Sequence, residues 1–531
     1  MEVGNLDLFL SLTPLIVVVV GVVGLKKSAK WVSLVAMVYT MVLSVLYFKT
    51  EVFEVIRQTK IGIIEGSKMV YMIWAAFLIL NMLIHTGAMD RIKEIIAELT
   101  LDRRKQIIIV AFCFGGFLEG VAGAGTPAAV AGPFLMALGL PALEAATAAL
   151  IFNGIAAALG AAGLTTIGGF SPYLSTQGAE VVQEMMNTVP YLAKVAAPTA
   201  IDVDATIMNI SMATSFIQFF GALICPALVL FVLYGKKAFD KEIACFAVFV
   251  GFVYGISLVI IGTFLGAEFP TICAGIFSLL ASVLYIKLFN RSTETPEDFK
   301  LVLDESVEKS SMSAWSAVAT YLILMIVLPS VRFFAPRWFI GLGFAVWIGT
   351  TMATVCFVGS IILKATPSMP KYAKESLFSV VGALIAMAAL LALANLMKVT
   401  GMLTIIATAL AEVTGALYPA FAAIIGSLGS FVAGTTTGSN IMFSALHAKA
   451  CTILGLSIPV VFAAQSAGGA LGNMICTNNV VAACTTVGLK NSEGIVMRKV
   501  FKPICVLWSL YAVLALIYVY ILLPTLPVVL K

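Results

Sequence analysis

Long apolar stretches with few polar interruptions run through most of the chain. They fall at about 8–24, 31–48, 68–88, 106–138, 142–165, 208–234, 243–262, 267–289, 313–331, 338–363, 376–397, 403–447, 452–488 and 503–528. Runs such as Leu15–Val23, Phe246–Leu265 and Cys505–Leu523 are continuous. A membrane barrel would instead show short segments of alternating polarity. About 20 apolar residues suffice to cross hydrocarbon as a helix, and lipid admits only helices or closed barrels. The pattern therefore predicts an all-α polytopic membrane protein with about 12–14 transmembrane segments. Two stretches, 106–138 and 403–447, exceed one span and are rich in Gly, Pro and Thr. The polar stretch from Gly169 to Asn209 is expected outside the core.

Composition agrees. Of 531 residues, 61% are hydrophobic and 11% charged, against about 25% charged in soluble domains. Such a chain cannot bury its apolar surface in water. The net charge of +5 fits cytoplasmic loops and no nucleic-acid partner. Nine cysteines without a Cys-x-x-Cys pair, and two distant histidines, His85 and His447, suggest neither a disulfide framework nor a metal site. No cofactor is implied. No basic region precedes the first apolar run, so no cleaved signal peptide is expected.

Basic residues set orientation. Clusters at Lys26, Lys27 and Lys30, at Arg91, Lys93, Arg103, Arg104 and Lys105, at Lys236, Lys237 and Lys241, and at Lys490, Arg498, Lys499 and Lys502 can all lie inside if the N-terminus is outside. The charged linker from Asn290 then falls inside too. The loop with Lys49, Arg57 and Lys60 fits less well, though it also carries Glu51, Glu54 and Glu65.

The chain repeats itself. Asn81, Thr86 and Gly87 match Asn395, Thr400 and Gly401 at an offset of 314 residues. Gly115, Phe117 and Gly120 match Gly429, Phe431 and Gly434 at the same offset. Leu138-Gly139-Leu140 matches Leu454-Gly455-Leu456 at 316. The loop charges place the first Thr-Gly end inside and the second outside, so the halves are expected to be inverted. This gives a first transmembrane repeat over 1–289, a cytoplasmic linker over 290–312 and a second, inverted repeat over 313–531. Inverted repeats with interrupted helices characterise secondary transporters, whose sites lie near the midplane at the repeat interface.

The candidate chemistry sits in the interruptions. Gly120, Gly123, Gly125, Thr126 and Pro127 cannot hold an undisturbed helix. Within an apolar run they suggest a re-entrant hairpin whose turn offers backbone N–H groups to an anion; close helix packing through small residues is the alternative. The partner stretch, Thr435, Thr436, Thr437, Ser439 and Asn440 after Gly434, supplies neutral donors suited to a carboxylate bearing a hydroxyl. Glu119 is a carboxylate inside a span and hence a functional candidate, either a proton carrier or a hydrated capping residue. Asn153, Asn473, Thr477 and Asn478 mark two further candidate breaks, with interhelical hydrogen bonding as the other reading. His85 and Lys398 fall near predicted boundaries, where long side chains reach water. No nucleophile with an adjacent base is evident, so an enzyme is not expected.

The run Phe112 to Gly123 with Gly125 and Pro127, the turn Gly434 to Asn440 and the closing Cys484-Thr485-Thr486-Val487-Gly488-Leu489 resemble segments of the L-lactate permease family. The resemblance extends more loosely over most of the chain. It implies uptake of lactate, and often glycolate, with protons across the cell membrane, by a fold with two re-entrant hairpins. One departure stands out: the family often has an acidic residue in the second turn, where this chain has Thr436. The expectation is a proton symporter for L-lactate or glycolate, with Glu119 carrying the proton and Gly120, Gly123, Gly125, Thr126, Asn153, Thr435–Thr437, Ser439, Asn440, Asn473, Thr477 and Asn478 around the substrate. A sodium- or proton-coupled carrier of another small anion is the alternative.

Overall fold

Backbone groups in lipid have no water to bond, so each must be paired within the protein, most simply along its own helix. The computed structural model describes residues 5–21, 25, 27, 29–123, 126–175, 203–289, 295–301, 311–340, 342, 344–489 and 492–522. Among the described residues nearly every segment is helical, and the only β feature is one isolated bridge between Asp102 and Lys300. The principal helices are α1 (Asn5–Val19), α2 (Ala29–Leu46), α3 (Val52–His85), α4 (Ala88–Ala97), α5 (103–121), α6 (Thr126–Ala137), α7 (Ala142–Ala156), α8 (Gly169–Leu174), α9 (Val203–Tyr234) and α10 (Lys241–Phe264). They continue with α11 (Pro270–Phe289), α12 (Ala314–Phe334), α13 (Phe344–Ile362), α14 (Met369–Val399), α15 (Met402–Thr414), α16 (Tyr418–Ala433), α17 (Thr436–Leu454), α18 (Ile458–Asn473), α19 (Thr477–Thr486) and α20 (Glu493–Ile517). Helix α5 changes to π geometry over Ile108–Phe114 before its last turns, Gly115–Val121.

Nine helices among the described residues are long and apolar enough to cross a membrane, or ten if the pair Val70–His85 and Ala88–Ala97, bent by 73°, is one span. That is below the 12–14 expected. Three shorter apolar helices, Asn5–Val19, Lys30–Leu46 and Val346–Ile362, account for the difference. Helices α7 and α18 form the centre: every residue from Ala145 to Ala156 and from Ile458 to Asn473 is buried. A helix apolar on all sides is stable only inside other protein or lipid.

The matched motifs share backbone geometry. Thr86 and Thr400 each turn their hydroxyl back to the carbonyl four residues earlier, Met82 and Leu396, at 2.8 Å. Gly87 and Gly401 follow with φ of 75° and 80°. Past α6 and α17, Gly139 and Gly455 are left-handed, and Leu140 and Leu456 bond back to Leu135 and Cys451. Lys49 and Lys364, 315 residues apart, are both left-handed, at 53° and 54°. Packing is exchanged in the same way. Helix α1 packs on α15 and α12 on α4, while α2 packs on α14 and α13 on α3. Helix α6 meets α19, and α17 meets α8.

Three polar segments meet on one face. The Arg104 guanidinium, 3% exposed, bonds Asp102 and Asp240 at 2.7 Å and the Ala238 carbonyl. Lys105 pairs with Glu242. Leu301 donates to the Leu101 carbonyl, and Arg104 lies 4.6 Å over the Phe299 ring. The basic loops before α5 and α10 and the described part of the linker thus lie together.

Candidate functional site

The two Gly-rich stretches form helical hairpins, the end of α5 folding against α6 and α16 against α17. Both are interrupted where the chain has glycine. Gly123 takes φ 63°, and a Cβ there would stand 2.4 Å from the Ala161 Cβ. Gly434 takes φ 77°, ending α16, and Thr435 then caps α17 by accepting the Gly438 N–H at 3.0 Å. Bare glycine is required at both places because a side chain would strain the backbone.

A third interruption meets them. After α7 the chain runs through short 3₁₀ turns and then Ala161, Ala162 and Gly163, with φ of 53°, 47° and 86°. Consecutive left-handed residues, two of them non-glycine, are uncommon and persist only where the surrounding packing sustains them. Thr271 helps, its hydroxyl donating toward the Ala156 and Leu159 carbonyls. So does Ser466, which donates to the Ala158 carbonyl at 3.1 Å.

Where the three interruptions converge lies a cavity of about 60 Å³, enough for a few waters or a solute of a few heavy atoms. Glu119 from the first hairpin, Thr435, Thr436 and Thr437 from the second, Thr165 from the third break and Asn473 from the end of α18 supply its polar lining. Ile73 of α3 and Met387 of α14, themselves 314 residues apart, close it with apolar surface. Glu119 is 3% exposed, and Gly160 leaves its side chain room. The Thr436 hydroxyl is buried without a hydrogen-bond partner. Asn473 accepts from the Asn479 amide at 3.0 Å, which fixes its orientation.

The other expected residues are placed as follows. Asn440 does not line the cavity but supports it, donating to the Thr165 carbonyl at 3.0 Å and to Ser466 at 3.1 Å. Ser439 turns away, donating to the Gly426 carbonyl and accepting from Gln465. Gly120 packs on the Ile272 backbone of α11. Asn153 is 1% exposed, outside the cavity lining, with both amide atoms unpartnered. Asn478 is exposed, its amide standing over Gly434. Gly125 lies outside the described residues, as do the side chains of Thr126 and Thr477.

Sequence reasoning missed Thr165 and the break before it. The signal was Gly160 and Gly163, three apart in an alanine run. It also missed a buried chain behind the second hairpin. Tyr418 and Gln465 bond the two ring nitrogens of His447 at 2.8 and 2.7 Å, and Gln465 continues to Ser439.

Interrupted helices around a largely apolar cavity with a few polar groups, in a helical membrane protein, define the architecture that secondary transporters use. The chain belongs to the L-lactate permease family, whose model matches residues 7–381 and 368–522. It is 25% identical to the L-lactate permease of Streptococcus iniae, over 86% of this chain and 93% of that one. It is also 25% identical to the L-lactate permease of Escherichia coli K12, over 93% and 92%. The glycolate permease GlcA of Escherichia coli K12 is 24% identical over 98% and 97%. A solved structure, the Alcanivorax borkumensis YdaH transporter, is similar at 15% identity and a TM-score of 0.31 over 67% of this chain and 87% of that one, too distant to inform the fold.

Proposed function

We propose that the chain takes up L-lactate, or a close 2-hydroxy monocarboxylate such as glycolate, by proton symport across the cell membrane. The observation that carries this reading is the meeting of Glu119 with Thr435–Thr437 around one cavity. A buried carboxylate facing an incoming carboxylate is repulsive unless a proton accompanies one of them. Protonated Glu119 would donate to the substrate. The load would then be neutral overall, which lowers the cost of crossing low-dielectric protein.

The neutral donors take the remaining oxygens. Thr436 has a hydroxyl without a protein partner, ready for the carboxylate or the 2-hydroxyl. Asn473 also lines the cavity. Thr436 in place of the family's frequent acid leaves Glu119 as the single acidic residue in the cavity lining among the described residues, which supports one proton per cycle. The hairpins are read as re-entrant, within halves 1–289 and 313–531 inverted about the linker 290–312. The relatives' names, L-lactate permease and glycolate permease, support the substrate class. Transport of this kind involves no bond chemistry, so the reading has no catalytic step.

The test is uptake of labelled L-lactate into proteoliposomes under an inward proton gradient without sodium. Accumulation that collapses with a protonophore is expected. Uptake that needs sodium and ignores the pH gradient would overturn proton coupling, and no uptake of lactate or glycolate by folded protein would overturn the substrate.

A further inference from the structure

We propose that Ile73 and Met387 together read the substituent on carbon 2 of the substrate, and so set which 2-hydroxy acids the protein carries. This rests on the carboxylate-transport reading above and adds to it the residues that select among such acids.

The lining of the central cavity divides by the kind of helix that supplies it. The interrupted segments bring Glu119, Thr165, Thr435–Thr437 and Asn473, with alanines and Leu164 between them. Helices α3 and α14 are unbroken over 34 and 31 residues, and they bring Ile73, Ala386, Met387 and Leu390. An unbroken helix pairs its own backbone groups, so it meets the cavity with side chains alone. Among the described residues these side chains hold no strong hydrogen-bonding group; the Met387 thioether is only a weak acceptor. A carboxylate or hydroxyl laid against this wall would be buried without a partner, which costs free energy. The part of a 2-hydroxy acid that loses nothing there is the hydrogen or alkyl group on carbon 2. The carboxylate and hydroxyl then face the interrupted segments, which carry Glu119 and Thr436.

The wall is also fixed in place. A Cβ on Gly62 would stand 2.4 Å from the Ala392 nitrogen, and one on Gly66 2.6 Å from the Ala388 Cα, so α3 and α14 touch backbone to backbone. Trp74, next to Ile73, donates to the Ala373 carbonyl at 3.0 Å. Asn81 donates to the Ser376 hydroxyl at 2.9 Å. The shape of the wall is then set by its side chains. Leu390 already packs on the second hairpin: its Cδ1 would lie 3.3 Å from a Cβ on Gly438, in the turn that Thr435 caps. Met387, one turn earlier on the same face of α14, and Ile73 on α3 are each 5% exposed and remain to meet the substituent. They are 314 residues apart, the offset of the repeat, yet differ in character. Ile73 is β-branched and stiff, whereas Met387 is unbranched and repacks readily. A rigid stop facing an adjustable one suits a site that takes either the hydrogen of glycolate or the methyl of lactate.

The test uses full-length wild type, Met387→Ala, Ile73→Val, Ala386→Leu and Met397→Ala in proteoliposomes. Initial uptake of labelled glycolate, L-lactate and L-2-hydroxybutyrate is measured against concentration, and maximal rate over KM is compared between substrates within each preparation. Such ratios cancel the amount of folded protein. One methylene in an apolar pocket changes them by about 10–200-fold. Met387→Ala is therefore expected to raise L-2-hydroxybutyrate relative to L-lactate by about tenfold or more. Ile73→Val, which removes one methyl group, should act in the same direction by a smaller factor and keeps the test decisive if the alanine variant does not fold. Ala386→Leu, which thickens the wall, should lower L-lactate relative to glycolate. Met397→Ala is the control: Met397 is a buried methionine of α14 outside the cavity lining, and its loss should leave the wild-type ratios. Wild-type ratios in Met387→Ala and Ile73→Val with uptake intact would overturn the proposal. So would an equal shift in Met397→Ala, because selectivity would then follow general loosening of α14. Wild type that moves neither lactate nor glycolate would overturn the substrate reading and this proposal with it, whereas wild-type uptake with unshifted variants would overturn this proposal alone.

Discussion

Gly160 lies directly against Glu119: a Cβ on residue 160 would stand 3.1 Å from the glutamate Cγ and 3.2 Å from Oε1. The third chain break therefore sets how the first hairpin's carboxylate enters the cavity. Gly160→Ala should displace the carboxylate by a few tenths of an ångström and lower the uptake rate several-fold. Gly160→Val should abolish uptake. Proteoliposome uptake normalised to folded protein checks this; full activity in the valine variant would mean that the Glu119 position does not matter.

Glu119→Gln should abolish uptake driven by a pH gradient while the protein still purifies as a folded species. The neutral amide keeps the shape but cannot exchange a proton. The measurement is the pH dependence of initial uptake, and an unchanged dependence would remove Glu119 from the coupling.

Thr436 offers a separate reading of substrate contact. Its buried hydroxyl bonds nothing in the protein, so Thr436→Val should leave thermal stability unchanged or slightly raised. A hydrogen bond to a charged group contributes about 1.5–3 kcal/mol, so KM should rise by about tenfold or more. A melting curve beside a KM titration separates these effects, and loss of stability without a change in KM would make the hydroxyl structural.

His447 is expected to show the opposite pattern. Both its ring nitrogens are bonded, to Tyr418 and Gln465, with no water-exposed surface. His447→Phe strands two buried polar groups, at about 1–3 kcal/mol each. The melting temperature should fall by several degrees, while the pH profile of any remaining uptake stays that of wild type. An altered pH profile would instead bring His447 into the proton pathway.

Asp240 gives a pH prediction for stability. Burial works against its ionisation, but the Ile243 N–H and the Arg104 guanidinium outweigh it and hold the carboxyl below its ordinary value. A lowered folded-state pKa means that this stabilisation is fully present above the unfolded value, about 3.9, and is lost as pH falls through the lowered one. Asp240→Asn should therefore flatten the acid limb of a melting-temperature-against-pH profile and leave the region above pH about 6 parallel to wild type. An unchanged acid limb would remove the pair from acid stability.

The solvent, the helical class, the repeat and most of the polar lining were legible along the chain. Continuous apolar runs demand lipid, and a carboxylate and a threonine cluster inside such runs are conspicuous because each costs free energy there. Glu119, Thr435–Thr437 and Asn473 were legible for that reason. Tertiary structure decided which of the remaining polar residues face the cavity. Ser439 and Asn440 follow the threonines in sequence, yet helical rotation carries one toward Gln465 and the other toward Thr165. Gly120 and Gly123 are alike as letters, but the first packs against α11 and the second forms the turn. The break at Ala161 and Ala162 was the least legible, because left-handed alanine is held only by neighbours such as Thr271 and Ser466, which are distant in the chain. Local composition records what a residue costs to bury; only long-range packing records what it then meets.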